Sequence, residues 1–266
     1  MEGTDSGGRP ATSSWSPGPA LAAYHDAVTV ICQISALFTD ADWAAPSPCP
    51  EWRVADLAGH LRCVADDFHE YLDDAPASRL ARLMATGAHP ETLARKLARQ
   101  NAAELAALPD ASGPEHIAAF ASSARSYAQR LPPIWGLPHH HYRDTLVTVG
   151  GMAGAACAEW HLHAWDLARA QGKDYRPANP DILLSGWLAG KPHLPLPGPG
   201  LPVPVGGTAA AHAGDALAAP GRAAGAGPVT AAGPGAAGTG DPWHAMLRAS
   251  GRIAPGSGPA DPGLFS

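Results

Sequence analysis

Apolar residues recur at three- and four-residue spacing through most of the chain up to Gly172, the period of helices that bury one face. The first such stretch runs from Pro19 to Phe38, with Leu21, Tyr24, Val28, Ile31, Ile34 or Ser35, and Phe38 on one side. Prolines 46, 48 and 50 then force an extended linker. A second helix is predicted from about Arg53 to Asp74, with Val54, Leu57, Leu61, Val64, Phe68 and Leu72 as its buried stripe. Its first turn holds Asp56, where the helix dipole favours a carboxylate. Pro90 and Glu91 open a third region to about Leu108. After PDASGP it resumes from Glu115 to Leu131, with Ile117, Phe120, Ala124 and Tyr127 facing inward. LPPIWGLPHHHYRD reads as a loop. A last long helix is predicted from Thr145 to Ala170, stopped by Gly172. Within it, Gly150 and Gly151 are weak points or points of close packing.

Residues 19–175 therefore predict an all-α fold, an antiparallel four-helix bundle with almost no strand signal. The segments on either side differ. Residues 1–18 are acidic, Gly/Ser/Pro-rich and without an apolar core, so they predict a disordered lead-in and no secretory signal. From Pro192 onward Gly, Ala and Pro dominate. So few large side chains cannot offset the backbone entropy of folding. Residues 176–266 thus predict a low-complexity tail or a degenerate C-terminal domain, poorly ordered from about 192 to 240. One short helix is expected near 241–251, from Trp243, Met246, Leu247 and a Gly251 stop.

Composition excludes some partners. A formal charge of −6 and a pI near 6.1 argue against a nucleic-acid surface. Within the predicted bundle the longest uncharged run, residues 145–158, is shorter than the ~20 apolar residues of a membrane span. Cys32, Cys49, Cys63 and Cys157 form no CxxC pair and read as reduced thiols. The expectation is a soluble, cytoplasmic protein.

The candidate chemistry lies in EWHLHAWDLA, residues 159–168. Glu159 and His163, four apart, share one helix face, whereas His161 points nearly the opposite way and reads as a surface or packing histidine. One helix offers two ligands, so a third must come from elsewhere. His60 on the second helix is one candidate. The run His139–His141 is the other, but it lies roughly 33 Å back along an unbroken helix at 1.5 Å per residue. Two histidines and a carboxylate form a known catalytic zinc set with one open position. Iron, nickel or manganese also suit it.

PSPCPEWRVADLAGHL resembles the opening signature of the mycothiol-dependent maleylpyruvate isomerase family, within the DinB-like superfamily. The matching residues are Cys49, Trp52, Asp56 and His60. The family's second signature, Glu-x-x-x-His, a small residue, Trp and Asp, is matched at Glu159, His163, Trp165 and Asp166. The resemblance covers about residues 20–175. It implies a DinB-like bundle whose divalent metal, zinc as first choice, is held by His60, Glu159 and His163. Asp56 and Asp166 are candidates to orient the imidazoles. It also implies mycothiol as thiol cosubstrate, with isomerisation or thiol transfer on a small molecule. The family often carries a small α/β domain after the bundle, and strand-forming runs for it are missing here. A non-catalytic metal- or ligand-binding bundle is the alternative.

Overall fold

A computed structural model describes residues 15–50, 52–74, 77–194 and 241–253. Four helices form the bundle: α1 (Pro17–Ser35), α3 (Val54–Asp73), α6 (Gly113–Arg130) and α7 (Val149–Ala170). α3 packs along α6, α1 packs along α7 and α6, and α3 also meets α7. The four apolar stripes converge on Trp160 of α7, which is fully buried. Its ring takes the edge of Phe120 at 5.0 Å, Phe68 at 5.8 Å and Tyr24 at 6.3 Å, one aromatic from each of the other three helices. Such edge-to-face contacts add ~0.5–1.5 kcal/mol each to the burial itself. The expected all-α bundle is thus present.

Shorter elements surround it. α2 (Asp40–Ala44) leads into the proline linker, which is pinned by Ser47 N–H donating to Trp52 O (2.8 Å) and Val54 N–H donating to Ala45 O (3.0 Å). α4 (Arg79–Ala85) and α5 (Pro90–Ala107) lie beside α3.

Two findings depart from the sequence reading. The second half of LPPIWGLPHHHYRD and the first residues of the last predicted helix are not loop and helix. They form an antiparallel hairpin, β1 (Pro138–Tyr142) with β2 (Thr145–Thr148), and α7 starts only at Val149. Arg143 takes the left-handed conformation, φ 51°, at the turn. Second, the segment assigned to the tail contains α8 (Pro180–Gly190), which packs along α7. The contact is made by small residues. A Cβ on Gly151 would fall 2.6 Å from Ala189 O, and one on Gly154 would collide with the backbone of Gly186. Gly150 and Gly151 thus serve close packing.

α7 ends at Gly172 (φ 67°), where Lys173 N–H donates to Ala168 O. The short C-terminal helix also forms, as α9 (Pro242–Ala249), and rests on α8. Of the predicted lead-in, residues 1–14 lie outside the described residues. Trp15 packs against Trp135 and donates to Gly150 O (2.7 Å), and Pro17 and Gly18 already belong to α1. Of the stretch expected to be poorly ordered, 195–240 lies outside the described residues. Among those described, no helix is long and apolar enough to cross a membrane.

Candidate functional site

α3 and α7 bring His60, Glu159 and His163 together. His60 is 3% exposed and His163 is 1% exposed, and their rings meet edge to face with centroids 5.2 Å apart. His163 Nε2 lies 3.9 Å from Glu159 Oε2. Two donors on one tetrahedral ion with bonds of about 2.0–2.2 Å stand roughly 3.3–3.6 Å apart. The observed spacing of this pair is within a small rotamer adjustment of that, and the His60 ring stands beside it.

The linker motif completes the wall: the Trp52 ring stands 4.8 Å from the His60 ring, and Cys49 is buried beside the centre. The Cys49 thiol is pushed well above its ordinary value, first by burial and then by the neighbouring Asp166 carboxylate. Among the described residues, Cys49, His163 and Asp166 bring donor atoms within 4.8 Å of one another. Within this group Asp166 meets His163 at Nδ1, the opposite edge of the ring from the Glu159 pair.

Asp166 sits one turn beyond His163, and its Oδ2 lies 2.9 Å from His163 Nδ1. An ionised carboxylate only accepts, so Nδ1 carries the hydrogen toward Asp166, and Nε2 is the ring edge turned toward Glu159. Burial opposes ionisation of Asp166, but the Arg252 guanidinium and the His163 contact outweigh it and hold the group well below the carboxylate range. Asp56, the other orienting candidate, does a different job. It accepts from Arg53 N–H (2.8 Å) and from the Arg53 guanidinium, closing the N-terminus of α3. A residue in the first turn meets the exposed N–H groups there more readily than a ring one turn inward.

His161 is buried rather than superficial. Its Nε2 contacts Ala23 O at 3.1 Å and its Nδ1 contacts the Tyr175 hydroxyl. α1 and the segment after α7 cover the face that the sequence left open.

Three groups that bear on the site were missed. Lys191, at the end of α8, donates from Nζ to Glu159 Oε1. Burial would raise the Glu159 pKa, yet Lys191, His163 and Arg252 together hold it far below the usual range. Arg252 follows α9. There Gly251 is left-handed (φ 74°), with Gly251 N–H donating to Arg248 O and Arg252 N–H to Leu247 O. This glycine stop turns the chain sharply and sends the Arg252 side chain inward. Its Nε donates to Asp166 Oδ1 (2.9 Å) and its Nη2 to Oδ2 (2.6 Å). His193 is the third. Its Nδ1 is sealed from solvent and has no hydrogen-bond partner among the described residues.

These groups face a cavity of about 140 Å³, walled by His60 and Glu159, by the apolar Phe68, Met152, Leu162 and Trp187, and by His140, Lys191, His193 and Arg252. A similar volume accepts a benzene-sized group. His140 shows that the His139–His141 run does reach the cavity, because the hairpin breaks the helix whose length argued against it. Burial pushes His139 and His140 down to about 4, and burial with the Lys191 charge pushes His193 to about 3, so all three are neutral near pH 7. At the far end, Arg79 ties Asp67 (2.8 Å) to Glu104 (2.6 Å), and Tyr71 donates to Asp67 (2.9 Å). Burial and Glu104 raise Asp67 to about 6.

Fold and site together define a helical bundle with a buried imidazole–carboxylate centre opening on a small cavity. The sequence matches the mycothiol maleylpyruvate isomerase N-terminal domain over residues 25–168, more than half of the chain. The chain belongs to that family, and its fold is the DinB-like bundle that the two motifs implied. No curated protein and no solved structure matches it.

Proposed function

We propose that the protein is a divalent-metal, mycothiol-dependent enzyme of the maleylpyruvate isomerase type, acting on a small molecule in the cytoplasm, with zinc as the first-choice ion. His60, Glu159 and His163 would hold the ion. The observation that carries the reading is the setting of His163: Asp166 fixes its Nδ1, and Nε2 points at Glu159 beside His60. When bound, a divalent ion there lowers the pKa of an incoming thiol and favours its thiolate.

The chain's own groups do the rest. Trp52 and Asp166 hold the two imidazoles in place. Phe68, Leu162 and Trp187 keep the cavity wall apolar and exclude water. His140 and His193, neutral near pH 7, line the cavity without adding charge to it. In the isomerase reaction the thiolate adds to a cis double bond, the adduct rotates, and elimination of the thiolate leaves the trans isomer.

A second reading has one observation in its favour. Glu159 and Asp166 already have protein cations as partners, which suits a bundle that binds metal or ligand without turnover. Metal analysis of the purified protein tests the first half of the proposal: stoichiometric divalent metal is expected in the wild type and its loss in His163→Ala. Equal metal in the two proteins would refute the site. Titration with mycothiol in a calorimeter, alongside a turnover assay, tests the second half. Metal without thiol-dependent heat or turnover would favour the non-catalytic reading.

A further inference from the structure

Resting on the metal reading above, we propose that Lys191 is a resident cation that competes with the metal for Glu159, so that the protein's metal affinity is set from α8 as well as from the ligand helices. Lys191 is 9% exposed and lies on the cavity wall, its ammonium on Glu159 Oε1 and 5.4 Å from the Trp187 ring centroid. The centre holds two buried carboxylates, Glu159 and Asp166, and two cations, Lys191 and Arg252. Among these four the formal charge is balanced. A divalent ion entering between Glu159 and His163 leaves that balance two charges positive, in a site where burial keeps electrostatic repulsion strong.

One of the two cations must yield, and they are not equally free to do so. Arg252 grips Asp166 with two parallel N–H donors and is anchored by the turn after α9. Lys191 meets Glu159 through one ammonium on a flexible stem and sits at the very end of its helix. Lys191 is therefore the group that metal displaces. At Oε1 it supplies the positive charge when the ion is absent, which keeps Glu159 from being buried without a partner.

The test compares zinc affinity, measured by competition with a chromophoric chelator on the full-length metal-stripped protein. The proteins are wild type, Lys191→Met, Lys191→Gln, Lys191→Arg and His163→Ala. Both neutral variants should bind zinc ~10-fold or more tightly than wild type, and the arginine variant should stay near it. The neutral variants should also melt at lower temperature than wild type when metal-free, and gain more on adding zinc. Two neutral variants guard against one that misfolds. If both bind zinc no more tightly than wild type while His163→Ala loses it, the competition is wrong and the metal site stands. If no variant binds zinc, or His163→Ala binds like the wild type, the metal reading falls and this inference with it.

Discussion

α3 and α7 meet the C-terminal helices α8 and α9 at the same centre, and the two regions bring different things to it. The bundle helices supply the proposed donors, His60, Glu159 and His163, with Asp166 behind them. The C-terminal segments supply the charges that make those donors tolerable indoors: Lys191 on Glu159 and Arg252 on Asp166. The hairpin and the residues after α8 add a third kind of group, imidazoles held neutral by burial. The bundle is held by apolar area around Trp160, and the C-terminal cover adds small-residue contacts and ion pairing to its own buried Trp187, Trp243 and Met246. The chemistry of the site and the stability of the site therefore reside in different parts of the chain.

Acid should separate the two regions most strongly. His139, His140 and His193 ordinarily titrate near 6.5 but near 4, 4 and 3 in the fold. The unfolded chain then takes up protons that the native state refuses, so their contribution is complete above pH 6.5 and lost as pH falls toward about 4. Glu159 and Asp166 have depressed values, so their contribution is intact above their ordinary values of 4.5 and 3.8 and fades only as pH falls past them. Asp67, raised to about 6, works the other way and offsets part of the loss, being one group against three. Hydrogen exchange across this window should show β1 and α8 opening before α3 and α7. Simultaneous opening would erase the distinction between cover and bundle.

Next in size is Arg252→Met. It leaves Asp166 buried without its guanidinium, which costs about 3–5 kcal/mol in denaturant unfolding of the metal-free protein. A loss below about 1 kcal/mol, the range of an exposed pair, would mean that α9 is not part of what holds the site. The smallest effect belongs to Asp56→Ala. Removing this half of the capping interaction should cost about 1 kcal/mol and leave zinc affinity unchanged. A change in zinc affinity would place Asp56 with the orienting groups after all.

How far the sequence spoke follows the same division. The 3.6-residue stripes of α1, α3, α6 and α7 reflect burial of a single face, and each appeared within a few residues of its place. Glu159 and His163 were legible because four-residue spacing on a helix is a local fact, and His60 because its motif precedes a regular helix. The hairpin was not legible: its turn, Tyr142-Arg143-Asp144-Thr145, lacks the Asn-Gly or Gly that marks a tight turn. α8 was hidden by its own glycines, Gly186 and Gly190, which weaken a helix read alone and favour it only against α7. Pro180 and Asp181 at its start, and the Leu183/Trp187 pair, were the signals available. Lys191 and Arg252 carried no signal at all, since an ion pair across 86 residues leaves no trace in spacing.

That separation of 86 residues also has a consequence in time. A ribosome delivers residues in order, at about 5–20 per second, so Asp166 is made on the order of ten seconds before the arginine that secures it. Throughout that interval α7 can coil and the aromatic cluster can assemble, but the carboxylate behind His163 has to stay wet. The pair behind His163 is therefore completed only when the C-terminal segment arrives. A chain released before Arg252 would carry Asp166 without the guanidinium that secures it.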